Sequence, residues 1–433
     1  MFKTIANAFK IKDIRKKILI TLLLLLIYRL GCWLPAVGFD TSAIFANEGT
    51  FGFFDLMDMV SGGALQNCSV LALGVAPYIT ASIVIQLLTV AVPALERLSK
   101  QGEDGRRKIN FYTRIAALVL ALAQAIGIVV AYSSSLDTAN ALWSGAPTWL
   151  LGAGVVIILV AGAMFTVWIG ERITDLGIGN GMSLLIFVGI LSSAASALKE
   201  AIGQAVQDIT YLWVIALFIV AVIAIFALIV FVDGGERRVP IQYAKQIKGR
   251  KMYGGQSTYI PIRVNGSGVM PIIFASALLT FPQLILSFWP NSSAYAWYTQ
   301  WLGSGSWIYI VLTAIFILLF AFFYSKITFD PNDISKRIQQ QGGFIPGIRA
   351  GKPTADHLRK ISGRITLFGA IFLAVIALIP SLAFKAIGDY AQAATLINAF
   401  SATGLMIVVS VALELDKQLE AQMLMRNYKG FLD

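Results

Sequence analysis

Runs of about twenty apolar residues, the length that carries a helix across roughly 30 Å of hydrocarbon, recur along this chain with short charged connections between them. They fall at 18–36, 69–92, 112–132, 149–169, 182–198, 211–232, 268–289, 306–325, 364–384 and 392–413. The pattern predicts an all-α polytopic membrane protein of ten transmembrane helices, with both termini on one side. Residues 51–67, ahead of the second run, depart from it. They are half as hydrophobic as that run, carry Asp55 and Asp58, and hold the pair Gly62-Gly63, which disfavours a continuous helix. This stretch reads as a half-inserted segment lodged in protein, because irregular backbone survives at membrane depth only where a cavity encloses it.

Composition removes one rival. With 57% hydrophobic and 13% charged residues over 433 positions, the chain is not a soluble enzyme with a large core. The basic start (Lys3, Lys10, Lys12, Arg15, Lys16, Lys17) followed by an apolar run invites a signal-peptide reading. Tyr28-Arg29-Leu30-Gly31-Cys32-Trp33 lacks the small residues of a cleavage site, so the first run is read as an uncleaved helix. Assigning connections alternately to the two sides puts 31 of the 34 basic residues on the N-terminal side. Only Lys199 and Lys385 land opposite, and Arg29 lies within the first run. By the positive-inside rule both termini are cytoplasmic, and the net charge of +11 is first an orientation signal.

Away from the ends of the runs, Arg29 is the one ionisable side chain in any of them. A transporter coupled to protons or sodium keeps such groups at the midplane. The chain offers instead Thr80, Ser82, Gln86, Thr89, Ser183, Ser276 and Thr280, which suit close packing and hydrogen bonds between helices. Cys32 and Cys68 have no metal or redox spacing and read as small packing residues. Gly347 to Lys352 misses the phosphate-loop spacing and has Pro353 where Ser or Thr should follow. Gly177, Gly179 and Gly181 miss the dinucleotide pattern, and His357, the only histidine, sits in a connection. No enzyme, cofactor or metal is expected.

The connections 233–266 and 326–364 are long and rich in Gly, Pro and basic residues. Loops of that length are functional or disordered. Basic side chains beside aromatic ones, as in Gly249-Arg250-Lys251-Met252-Tyr253, suit a large anionic partner such as ribosomal RNA, or a docking protein.

Several stretches together resemble the bacterial-type SecY family, whose members form the centre of the Sec protein-translocation channel. Leu73-Gly74-Val75-Ala76-Pro77-Tyr78 with its continuation to Leu88, and Gly170-Glu171-Arg172-Ile173-Thr174-Asp175-Leu176 with its continuation to Ser183, are similar to two family signatures. Glu236-Arg237-Arg238-Val239-Pro240, the Met252 to Thr258 stretch, Gly343-Phe344-Ile345-Pro346-Gly347-Ile348-Arg349 and the tail Lys417 to Gln422 are similar too, in the family's order.

The resemblance implies one integral domain of two inverted five-helix halves, 1–200 and 201–433, around a central pore, with a re-entrant plug helix at about 51–67 and a cytoplasmic tail at 414–433. It implies a passive channel that passes unfolded preproteins and releases transmembrane segments sideways into lipid. The implied pore ring is Val75, Ile79, Met182, Ile186, Met270 and Ile407, where two methionines and a valine replace the usual isoleucines. A narrow apolar ring dewets and blocks ions yet grips no side chain. The implied plug includes Phe54, Asp55, Met57, Asp58, Val60, Gly62 and Gly63, and its two aspartates suit a segment that leaves for water. Spans two and seven are the implied lateral gate, with Thr80, Ser82, Gln86, Ser276 and Thr280. Arg349, then Arg237, Arg238, Arg250 and Lys251, are the implied partner contacts. The implied partners are the small subunits SecE and SecG, the SecA motor, the ribosome, preproteins with signal sequences, and lipids. The implied location is the cell inner membrane or a thylakoid. A secondary transporter and an insertase without secretion are the rival functions.

Overall fold

A computed structural model of the chain describes residues 7–36, 61–65, 67–99, 101–131, 147–207, 210–243, 246–248, 251–253, 257–266, 268–286, 292–303, 306–387 and 402–429. A helix coincides with each of the ten apolar runs. In chain order these are α1 (Lys12–Gly31), α2 (Ala76–Ala91), α4 (Glu103–Ala131), α5 (Thr148–Leu176), α6 (Gly181–Gln207), α7 (Thr210–Asp233), α8 (Met270–Leu286), α10 (Trp307–Thr328), α12 (Lys352–Ile387) and α13 (Ala402–Lys429). Shorter helices are α3 (Pro93–Ser99), α9 (Ser293–Leu302) and α11 (Pro331–Gln340). Among the described residues, five helices are by length and composition able to cross a membrane, and the bent pair α2–α3 makes a sixth.

The ends of these helices correct the boundaries drawn from hydrophobicity. The second run was expected to be helical from residue 69, but 69–75 are turns and α2 starts at Ala76 with Pro77 in its first turn. Proline lacks the N–H that an interior turn needs and fits only the first. With 16 residues, α2 spans about 24 Å. Pro93 then opens α3 after a bend of 105°. The ninth run was expected to begin at residue 364, yet α12 is a single helix of 36 residues from Lys352, so the connection before it is shorter than hydrophobicity suggests. Serine caps set one start cleanly: the Ser306 hydroxyl accepts the Tyr309 backbone N–H at 3.1 Å at the head of α10.

The helices pack in two groups. In the first, α1 lies on α5 and α6, α2 on α4, and α5 on both α4 and α6. In the second, α10 lies between α8 and α12, and α13 between α7 and α12. The main contacts between groups run from α6 to α7 and to α13. Outside the bundle the two long connections form structure that the apolar pattern does not predict. Strands β1 (Glu236–Tyr243), β4 (Ser257–Arg263) and β5 (Gly343–Phe344) make a sheet of order β4-β1-β5, and β2 (Gln246–Lys248) pairs with β3 (Lys251–Tyr253). Two connections far apart in sequence thus share one sheet, through Gln242 opposite Phe344 and Tyr243 opposite Gly343.

Candidate functional site

Five of the six expected ring positions fall in one apolar cluster between the helix groups. Val75, Ile186 and Ile407 are buried there, with Ile79 and Met182 packed against them. Val75 precedes α2, Ile79 is one turn on, Met182 and Ile186 are a turn apart on α6, and Ile407 comes from α13, so three elements distant in sequence converge. Met270 does not join them. It packs against a second cluster, around Ile272, Phe274, Ile317 and Phe320, while Val269 and Ile273 beside it touch both.

The backbone leading into this cluster is irregular and enclosed. Of the residues from Ser61 to Val75, Ser61, Ala64, Leu71, Leu73 and Val75 are almost fully buried. Gly62 and Gly63 have φ of +77° and +82°, which L side chains rarely adopt. A Cβ on Gly162 of α5 would overlap the Val70 carbonyl, so α5 presents bare backbone to the segment. Cys68 lies within it and Cys32 at the end of α1, and both thiols are buried. Phe54, Asp55, Met57, Asp58 and Val60 lie outside the described residues.

The expected gate residues sit on α2 and α8. Three of them bond within their own helix. Thr80 donates to the Ala76 carbonyl at 3.0 Å, Gln86 to Ser82 at 3.3 Å, and Ser276 to the Ile273 carbonyl at 2.9 Å. A hydroxyl back-bonded to its own helix needs no partner across the seam. What crosses from α2 to α8 is apolar: Ile83 is buried with Ile272, Phe274 and Ala275. The Thr280 side chain is outside the described residues.

Arg237 and Arg238 stand exposed on β1, whose Val239 and Ile241 point inward. Arg238 bonds Glu236 at 2.7 Å and lies 4.8 Å from the Tyr259 ring centroid. The hydrogen bond that Arg238 donates to Glu236, aided by Tyr259, raises the Arg238 guanidinium above its ordinary value. Arg349 is exposed just beyond β5, in a turn pinned where Thr354 donates to the Arg349 carbonyl at 2.8 Å. A small core of Val239, Ile262, Ile345 and Leu358 supports Arg237, Arg238 and Arg349 together. Lys251 opens β3, and Arg250 is not among the described residues.

Sequence reasoning missed one polar junction. Asp233, at the end of α7, accepts from Asn265 at 2.7 Å and from Ser410 of α13 at 2.8 Å. It joins the base of the sheet to the helix that carries Ile407. No spacing rule links residues so far apart, so no local signal could have revealed it.

The family model described as SecY matches residues 69–415. The protein translocase subunit SecY of Streptomyces scabiei is 42% identical, with all of both chains covered. A structure reported as "The plug domain of the SecY protein stablizes the closed state of the translocation channel and maintains a membrane seal" matches with a TM-score of 0.65 at 20% identity, over 94% of this chain and 92% of that one. Sec61 in the canine ribosome-channel complex from the endoplasmic reticulum matches with a TM-score of 0.62 at 17% identity, over the same shares. At such identities the two structures speak for the fold.

Proposed function

This chain belongs to the SecY family, and from that premise we propose that it is the protein-conducting subunit of a translocase, a passive pore that passes unfolded preproteins and opens sideways to lipid between α2 and α8. It is a channel subunit and not itself an enzyme. The observation that carries the reading is the convergence of Val75, Ile79, Met182, Ile186 and Ile407 in one apolar cluster between two helix groups. Such a constriction excludes ions by dewetting while offering a moving polypeptide nothing to bind. Residues 51–67 act as the plug on the side opposite the termini, and the halves 1–200 and 201–433 open like a clamp about the α6–α7 connection.

The shared sheet with Arg237, Arg238 and Arg349 is the docking platform, joined by Arg250 and Lys251. Its partners are a ribosome, in keeping with the ribosome-bound relative, and a SecA-type motor, which supplies the energy. SecE and SecG brace the bundle. The membrane is the cell inner membrane, with both termini cytoplasmic as the basic connections dictate. The test is reconstitution with SecE, SecG, SecA and ATP in vesicles and addition of a soluble preprotein. Protease-protected preprotein is the expected result. Protection of membrane segments alone would make the chain an insertase, and ATP hydrolysis by the purified chain without a motor would overturn the passive reading.

A further inference from the structure

Arg29 is the one ionisable side chain deep within an apolar run, and a charge placed there calls for an explanation. It sits in the last turn of α1, where a cation suits the helix dipole. Its Nη2 donates to the Ser192 hydroxyl of α6. Among the described residues its buried Nη1 has no hydrogen-bond partner and no carboxylate forms an ion pair with it. Gly62 is the residue laid against this guanidinium. A Cβ there would lie 2.6 Å from Nη1 and 2.8 Å from the Gly189 carbonyl of α6. Any side chain at 62 would therefore displace the arginine or lift the segment away. Ser61 is equally enclosed: its carbonyl faces the Cys32 sulfur at 3.8 Å, and a Cβ on Gly74 would lie 3.3 Å from its own Cβ.

We propose that Arg29 is the positioning residue that seats the base of the plug, its guanidinium tied to Ser192 forming the wall on which Gly62 rests. The inference builds on the plug reading and adds to it the group that holds the closed position. Ser192 fixes the guanidinium, so the wall is in place for Gly62 to pack against in the closed position. Ion exclusion in the closed state is then set jointly by the apolar ring and by a contact made from α1 and α6 together.

The chain has two cysteines, so Cys32→Ala, which removes the thiol nearest the arginine, leaves the buried Cys68 as a native reporter of the segment. In the complex reconstituted with its small subunits, a membrane-impermeant maleimide is added on the side opposite the termini, and resting conductance is recorded in parallel. Losing one charge-assisted hydrogen bond shifts such an equilibrium by about tenfold. Arg29→Met should accelerate Cys68 labelling by that factor and raise the leak, with Arg29→Lys in between. Gly62→Ala, which disturbs the same contact from the other side, should act in the same direction. A merely structural arginine would lower the melting temperature and leave Cys68 protected below it, which would overturn the proposal. If Arg29→Met does not fold, Gly62→Ala decides, and wild-type labelling there is again fatal. Deletion of residues 54–62 separates the two levels. A leak from the deletion with none from Arg29→Met or Gly62→Ala refutes Arg29 and spares the plug, whereas no leak from the deletion removes both.

Discussion

Arg29 at the end of α1 and Asp233 at the end of α7 are both charged side chains at the close of an apolar helix, and their surroundings treat them differently. Asp233 accepts from Asn265 and from Ser410, at 2.7 and 2.8 Å, and so knits α7, the strand that leads into α8, and α13. Arg29 bonds Ser192 with one nitrogen, and another is buried without a partner among the described residues. The contrast follows the backbone around them. Near Asp233 the chain is regular helix and sheet, although the Asn265 side-chain oxygen is buried without a hydrogen-bond partner among the described residues. Around Arg29 it is the turn-rich Ser61–Val75 segment, held by close approach to glycines and by turn hydrogen bonds, with the Ala36 N–H donating to the Cys68 carbonyl at 2.7 Å and the Val70 N–H to the Leu34 carbonyl at 2.9 Å. What differs is the backbone: Asp233 joins regular elements, while Arg29 borders the irregular segment read as the base of the plug.

The comparison breaks most visibly if the movable piece is removed. Deleting residues 54–62 should turn a closed pore into an open leak, read as resting conductance in a planar bilayer, with the helix content unchanged. An equally large loss of helix would mean that the segment is part of the frame. On the frame side, Asp233→Ala strips Asn265 and Ser410 of their acceptor and should cost about 2–3 kcal/mol, seen as a lower melting temperature in detergent. Asp233→Asn, which still accepts, should cost less. Arg349→Ala is exposed and touches no core, so motor-driven translocation should slow while resting conductance and stability stay at wild type. Arg238→Ala should have the smallest effect on stability, below about 1 kcal/mol, because its pair with Glu236 is solvent-exposed.

How much of this could be read from the chain depends on the range of the physics involved. Helix positions were legible, since each span carries its own apolar run. The basic residues are sorted almost entirely to one side, and on that sorting the proposed orientation rests. Gly62-Gly63 signalled the irregular segment, and both adopt positive φ. Helix ends were less legible: Pro77 in the first turn of α2 outweighed the hydrophobicity of 69–75, and α12 extends amphipathically through residues that read as a connection. Contacts between distant residues left no trace in spacing. The pairing of β1 with β5, the Asp233 junction and the approach of Gly62 to Arg29 each join segments far apart in the chain. The ring positions came from resemblance to a family, and the packing gathers five of them while leaving Met270 to the second cluster.

The account stands on the apolar cluster being the seal. Its most direct test is the resting conductance of the reconstituted channel with Val75, Ile79, Ile186 and Ile407 together replaced by serine, against wild type. The account predicts a silent wild-type pore and a steady ion leak in the variant at unchanged helix content, because hydroxyls wet a constriction that isoleucine keeps dry. A variant as silent as wild type, folded and inserted, would contradict it.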